Sequence, residues 1–368
     1  MRIVIAKKLL STVGGSEAQA RALGAALIAR GHAVTLLGIR PAWRRPGIPR
    51  AVYAAAPGDV EIDEGGLRYV FIASRTAAVE GLLPISLIAP DRLARVFAGA
   101  EIVHSIAREW AGPAERAARS VGAAFVETPL AHPGQRFSGD GRADTGRYRR
   151  DDAVLALTEW EADWYRARGA RNVHVTGVGP ILGAKLPSLP ADPRTILFVG
   201  RKERYKGYDA LRAAAPLVWA THPDARFVVI GQRRFLGPRP QPDARWIEPG
   251  VVSEAEKAEA YVRATVFCMP SSHETFGHTY LEAWSAGRPV IAGDIAPLRE
   301  VVRERVDGLH AANEPQAVAA AIRILLDDPG AAARMGLAGQ ARVAERWTWE
   351  RVAERTEAAY ASAMTFLH

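Results

Sequence analysis

MRIVIAKKLLSTVGGSEAQARALGAALIARGHAVTLLGI, residues 1–39, decides the fold class. Ile3-Val4-Ile5-Ala6 is a short apolar run that predicts a buried strand. A loop over residues 11–16, containing Gly14-Gly15, follows it. EAQARALGAALIARG then carries apolar residues at helical spacing, with Gly31 as the stop. AVTLLGI, residues 33–39, predicts the next strand. Strand, loop, helix and strand in that order are the signature of a parallel sheet covered by helices.

The same rhythm continues outward. EIVHSI (101–106), AAFVET (123–128), AVLALT (153–158) and NVHVTGVG (172–179) predict further short strands. PGQRFSGDGRADTGRYRR, residues 133–150, is polar and rich in Gly and Arg, and predicts a mobile loop. Residues 180–195, PILGAKLPSLPADPRT, hold four prolines and no periodicity, which predicts a linker. A second series then begins. TILFVG (195–200), ARFVVIG (225–231), TVFCMP (265–270) and RPVIAG (288–293) predict strands, with helices over about 207–220 and through LEAWSAG. The chain ends in helical patterns over roughly 313–327, 331–345 and 349–364. The expected architecture is two Rossmann-like α/β domains joined by a proline-rich hinge, with a ligand cleft between them.

The 368 residues suit two such domains. Hydrophobic residues at 48% and charged residues at 24% are ordinary for a water-soluble globular chain. The one cysteine, Cys268, excludes an internal disulfide framework and a Cys-rich zinc site. No apolar run approaches the ~18 residues a spanning helix needs. MRIVIAKKLL leads straight into a patterned segment, so no leader peptide and a cytoplasmic location are expected. The net charge of +8 is concentrated: residues 1–50 carry nine Lys/Arg and one acid, Glu17. A basic face suits a phosphorylated substrate, anionic lipid or nucleic acid, or is a solvated surface.

Three segments can carry chemistry. SSHETFGHTYLEAW, residues 271–284, places Glu274 at the mouth of a predicted helix and Glu282 on its second turn. Free N–H groups around Phe276, Gly277, His278 and Thr279 would form an anion site. Two glutamates alone also suit an amphipathic helix with a charged face. His273 and His278 do not form a zinc pair, because five positions on a helix point their rings about 140° apart. GRKERYKG, residues 200–207, crowds Arg201, Lys202, Arg204 and Lys206 into a strand-to-helix loop suited to phosphate, though it is no Walker loop. Gly14-Gly15 forms a tight turn, but misses the dinucleotide fingerprint. His104 and His132 fall at or just after predicted strand ends, where ligand groups and structural hydrogen-bonders both occur. No D-x-D pair and no G-x-S-x-G elbow is present.

In combination these pieces resemble the retaining glycosyltransferases of family 4, which have the GT-B fold. The resemblance spans nearly the whole chain. It rests on Gly14-Gly15, on G-R-x4-K-G as Gly200, Arg201, Lys206 and Gly207, and on E-x7-E from Glu274 to Glu282. It implies two Rossmann-like domains facing each other across a cleft: an acceptor domain over 1–180 and a donor domain over 181–348. The helix 349–368 would cross back to the first. Arg201 and Lys206 would neutralise the donor diphosphate, helped by the amides at 276–279. Glu274 would contact the donor sugar, Glu282 the ribose, and the backbone near Gly250-Val251 the base. Gly14 and Gly15 would approach the donor. His132 would lie near the transferred sugar, although ETPLAHPG departs from the family's usual T-x-H or S-x-H text.

The resemblance further implies a nucleotide-sugar donor, no cofactor and no metal. The acceptor would be a small molecule, a lipid or a glycan, and nucleic acid is not an expected partner. Trp43 with Arg40, Arg44, Arg45 and Arg50 could touch an anionic membrane. Competing readings are a GT-B enzyme of other chemistry, such as an epimerase, and a non-catalytic glycan-binding scaffold.

Overall fold

A computed structural model describes residues 1–368 except 12, 13, 46, 75, 76, 78–87, 135–138, 183–185, 234–236, 238, 239, 367 and 368. Parts of the expected 11–16 loop, 133–150 loop, 180–195 linker and C-terminal helix therefore lie outside the described residues. The chain divides into two compact units: Met1–Val178 with Trp349–His368, and Gly179–Thr348.

Unit 1 is built on β1 (Arg2–Ala6), β2 (Ala33–Ile39), β3 (Val60–Glu64), β4 (Leu67–Ile72), β5 (Ile102–Ile106), β6 (Ala124–Thr128), β7 (Ala153–Ala156) and β8 (Val173–Val175). They form one sheet in the order β3-β4-β2-β1-β5-β6-β7-β8. All neighbours are parallel except β3, which pairs antiparallel with β4. The helix Gly15–Ala29 opens the first crossover, as the 3.6-residue spacing predicts. Apolar side chains cover both sheet faces, as a parallel sheet requires. The final helix, Trp349–Phe366, buries Val352, Ala353, Ala359, Tyr360 and Ala363 in the same cluster as Ile3, Leu27 and Val126. His104 on β5 ties the layers together. Its ring bonds the Tyr360 hydroxyl and Thr128 Oγ1, each at 2.7 Å, and burial pushes its pKa down to about 3. It is a neutral core hydrogen-bonder.

Unit 2 is built on β9 (Thr195–Val199), β10 (Arg226–Ile230), β11 (Trp246–Gly250), β12 (Val266–Met269), β13 (Val290–Gly293) and β14 (Gly308–Ala311). The sheet order is β11-β10-β9-β12-β13-β14, with every pair parallel. Strands run outward from β9 in one direction and then from β12 in the other. The gap between the carboxyl ends of β9 and β12 is the topological switch point of this sheet, the usual ligand position in such folds.

Two expectations are corrected. The polar segment 133–150 is not wholly a loop, since Arg142–Tyr148 is a helix. Its buried face is paid for by charge pairing: Arg147 grips the fully buried Glu127 with bonds of 2.6 and 2.9 Å and reaches Asp144 at 3.1 Å. Nor do the basic residues of 1–50 form one free face. Lys7 and Lys8 are buried, and Arg30 pairs with Glu357 at 2.5 Å. Arg40 donates to the carbonyls of Ala55, Ala56 and Gly58. Trp43, Arg44 and Arg50 remain exposed and Arg45 is half-buried.

Candidate functional site

Two loops leave the sheet of unit 2 at its switch point. The first runs from Gly200 at the end of β9 through a short 3-10 turn, Arg204–Lys206, to the helix Tyr208–Trp219. The second runs from the end of β12 through Pro270-Ser271-Ser272 to the helix His278–Ser285. Gly207 joins them by shape. Its φ is +83°, and a Cβ there would fall 2.5 Å from Pro270 Cγ and 2.8 Å from the Pro270 carbonyl oxygen. Only glycine allows that turn and that approach together. The Ser272 amide then donates to the Tyr205 carbonyl at 2.7 Å.

This packing brings Lys206 and Glu274 into an ion pair, with side chains 16% and 8% exposed. Arg201 donates to the Tyr205 hydroxyl. The Tyr205 ring centroid lies 5.8 Å from Arg201 Cζ and 5.3 Å from Lys206 Nζ. Sequence reasoning missed Tyr205, because a tyrosine among basic residues has no signature of its own. It also counted Lys202 among the cations of a loop suited to phosphate. Lys202 points inward and pairs with Glu248 at 2.7 Å. Glu248 also accepts from Tyr208 and from the Trp246 indole, each at 2.7 Å. Burial raises the Glu248 pKa, but these three bonds outweigh it and hold the group below the usual carboxylate range.

Gly277, with φ +89°, turns the chain into the helix His278–Ser285; the Tyr280 amide bonds the Gly277 carbonyl at 3.1 Å, and the amides of His278 and Thr279 precede the first α-helical hydrogen bond. A Cβ on Gly277 would fall 2.5 Å from the Tyr280 ring. His278 bonds the Gly179 carbonyl at 3.0 Å, and burial holds its pKa below the ordinary value. Thr279 Oγ1 reaches Met269 Sδ at 3.7 Å. The Phe276 side chain is in the core, edge-on to Trp347 at 5.3 Å, which leaves its backbone as the part that could meet a ligand. Glu282 is buried as well. It accepts from Tyr261 at 2.7 Å and lies 3.7 Å from Lys257. Burial raises its pKa against the pull of Lys257 and Tyr261. Val251, just after β11, is exposed.

The remaining expected residues lie in unit 1. Gly14, at φ +126°, precedes the helix Gly15–Ala29. A Cβ on Gly14 would fall 2.3 Å from Glu17 Oε2, so the chain's own carboxylate fills the space at this helix start. Lys7 lies 3.9 Å from Glu17 and 3.5 Å from Glu109. Glu17 thus places a negative group where Gly14-Gly15 were expected to approach the donor. His132 is half-buried four positions beyond β6. Among the described residues no cluster of three His, Cys, Asp or Glu side chains could hold a metal ion.

Two α/β units of this topology, the second with a cationic loop and an acidic loop at its switch point, define the GT-B class of two-domain transferases. The comparisons with known proteins agree. The family described as "Glycosyl transferase 4-like domain" matches residues 14–180, and "Glycosyl transferases group 1" matches residues 185–342. The chain belongs to the family 4 type of glycosyltransferases. It is 34% identical to a D-inositol 3-phosphate glycosyltransferase of Thermobispora bispora, over 49% of this chain and 46% of that protein. The match thus spans about half the length of that relative. It is 29% identical to a glycogen synthase of Mycobacterium tuberculosis, over 95% of this chain and 92% of that one. The solved structure of Anabaena Alr3699/HepE in complex with UDP and glucose superimposes with a TM-score of 0.76 at 15% identity, covering 98% of this chain and all of that one.

Proposed function

We propose that this chain is a retaining, metal-independent glycosyltransferase that takes a nucleoside-diphosphate sugar on unit 2. The observation that carries the reading is the meeting of Lys206 and Glu274 at the switch point between β9 and β12. Departure of a nucleoside diphosphate builds negative charge on its phosphates. Lys206, Arg201 and the amides at the start of the helix His278–Ser285 form a fixed positive field for that charge, the task a divalent ion performs elsewhere. Glu274 is a hydrogen-bond acceptor for sugar hydroxyls. Glu282, held by Tyr261 and Lys257, is a second acceptor for the ribose. The UDP in the Anabaena neighbour supports a nucleotide donor. The acceptor would be a small molecule or a glycan, in keeping with the names of the inositol phosphate and glycogen relatives. Trp43, Arg44 and Arg50 are exposed and offer residues for a membrane contact. Among the described residues no helix is long and apolar enough to cross a membrane.

Retention can be read without the acceptor. Concentrated enzyme incubated with its sugar nucleotide should transfer sugar slowly to water, and proton NMR follows the anomer that forms first. An α-linked donor should yield the α sugar before mutarotation. A β sugar formed first contradicts retention.

A further inference from the structure

Both cations at the phosphate end of this site already have partners, and the two partners differ in kind. Arg201 is held by the neutral hydroxyl of Tyr205. Lys206 is held by the charged carboxylate of Glu274. A neutral partner yields to an incoming anion at little electrostatic cost, whereas a carboxylate competes with it. The pair is shielded, with side chains 16% and 8% exposed, so solvent screens it less than a surface pair. Neither loop is free to carry its residue away. Gly207 is seated on Pro270, and the Ser272 amide is bonded to the Tyr205 carbonyl. Glu274 therefore stays within reach of Lys206 when an anion arrives, and competes with it.

We propose, building on the donor-site reading above, that Glu274 is a built-in competitor for Lys206. It makes the site discriminate against a free nucleoside diphosphate in favour of its sugar ester. A sugar ester satisfies both halves of the opened pair: phosphate oxygens accept from Lys206, and sugar hydroxyls donate to Glu274. A free diphosphate satisfies the first half alone. It leaves a nearly buried carboxylate facing added negative charge. The same contest assists product release, because Glu274 regains Lys206 once the sugar has gone.

The test is isothermal titration of UDP, GDP, ADP and dTDP, each beside its sugar ester, against wild type, Glu274→Gln, Lys206→Met and the double variant. Glutamine keeps the size of the side chain, and circular dichroism checks the fold of each variant. For the base that wild type binds, Glu274→Gln should bind the free diphosphate about tenfold more tightly, a change of about 1.4 kcal/mol. Its affinity for the sugar ester should stay level or fall. In the Lys206→Met background the same substitution should gain clearly less, because the contest is for that ammonium. A wild type that binds a diphosphate, with a Glu274→Gln variant that binds it no better, overturns the competitor role. So does a gain that survives undiminished without Lys206. Absence of any nucleotide binding by folded wild type instead overturns the donor-site reading, and this inference with it.

Discussion

Lys206→Ala lowers the rate of sugar transfer by about a hundredfold to a thousandfold, the scale expected when a fixed donor is removed from a developing anion. The loss should appear in kcat as well as in kcat/KM, since the phosphate charge grows as the sugar leaves. Stability should fall too, by a few degrees in Tm. Glu274 is 8% exposed and would lose its countercharge. The spacing of the two residues in the sequence gives no reason for such a loss; their ion pair does. Steady-state kinetics on the donor, beside a thermal melt, separates the two effects. A folded Lys206→Ala variant with wild-type turnover contradicts the assignment.

Gly207→Ala has the largest expected effect on stability. A methyl group at φ +83° would stand 2.5 Å from Pro270 Cγ and 2.8 Å from the Pro270 carbonyl. Both strain and overlap oppose it, and the overlapped atoms belong to a ring and the main chain, which cannot swing aside. The expected cost is about 3 kcal/mol or more. Because Pro270 heads the loop that carries Glu274, the substitution also separates the two halves of the site. Urea unfolding followed by tryptophan fluorescence should show an early transition, and nucleotide should no longer delay it. Unfolding at the wild-type urea concentration contradicts the packing described here.

Much of this was legible in the sequence, for a physical reason. Strands buried on both faces are continuous apolar runs, and β1, β2, β5, β6, β9, β10, β12 and β13 announce themselves that way. The edges were harder. β3 is VEIDE, largely solvated, and periodicity does not register it. The signal it did carry was Gly65-Gly66, with φ of +61° and +80°, a two-residue hairpin turn. β11 contains Pro249, which an edge strand tolerates and which argues against a central one. The helix Arg142–Tyr148 hid behind polar text, because its burial depends on Glu127, 20 positions before Arg147.

The site divides along the same line. Residue types that bind phosphate and sugar were visible in Arg201, Lys206, Glu274 and Glu282. Their partnerships were not. Lys206 and Glu274 are 68 positions apart, and nothing local says that they touch. Lys202 and Arg201 are neighbours in one loop, yet one faces Glu248 and the other Tyr205. A pattern of charges cannot tell which side of the loop each one takes.

The most direct test of the account is thermal stability with UDP, GDP, ADP and dTDP and their sugar esters, each in EDTA and in Mg²⁺. A ligand that binds the folded state raises Tm by mass action. The account predicts that nucleotides of one base raise Tm as much in EDTA as in Mg²⁺, and that the shift shrinks in Lys206→Ala. A shift that needs Mg²⁺, or no shift with any of them, would contradict it.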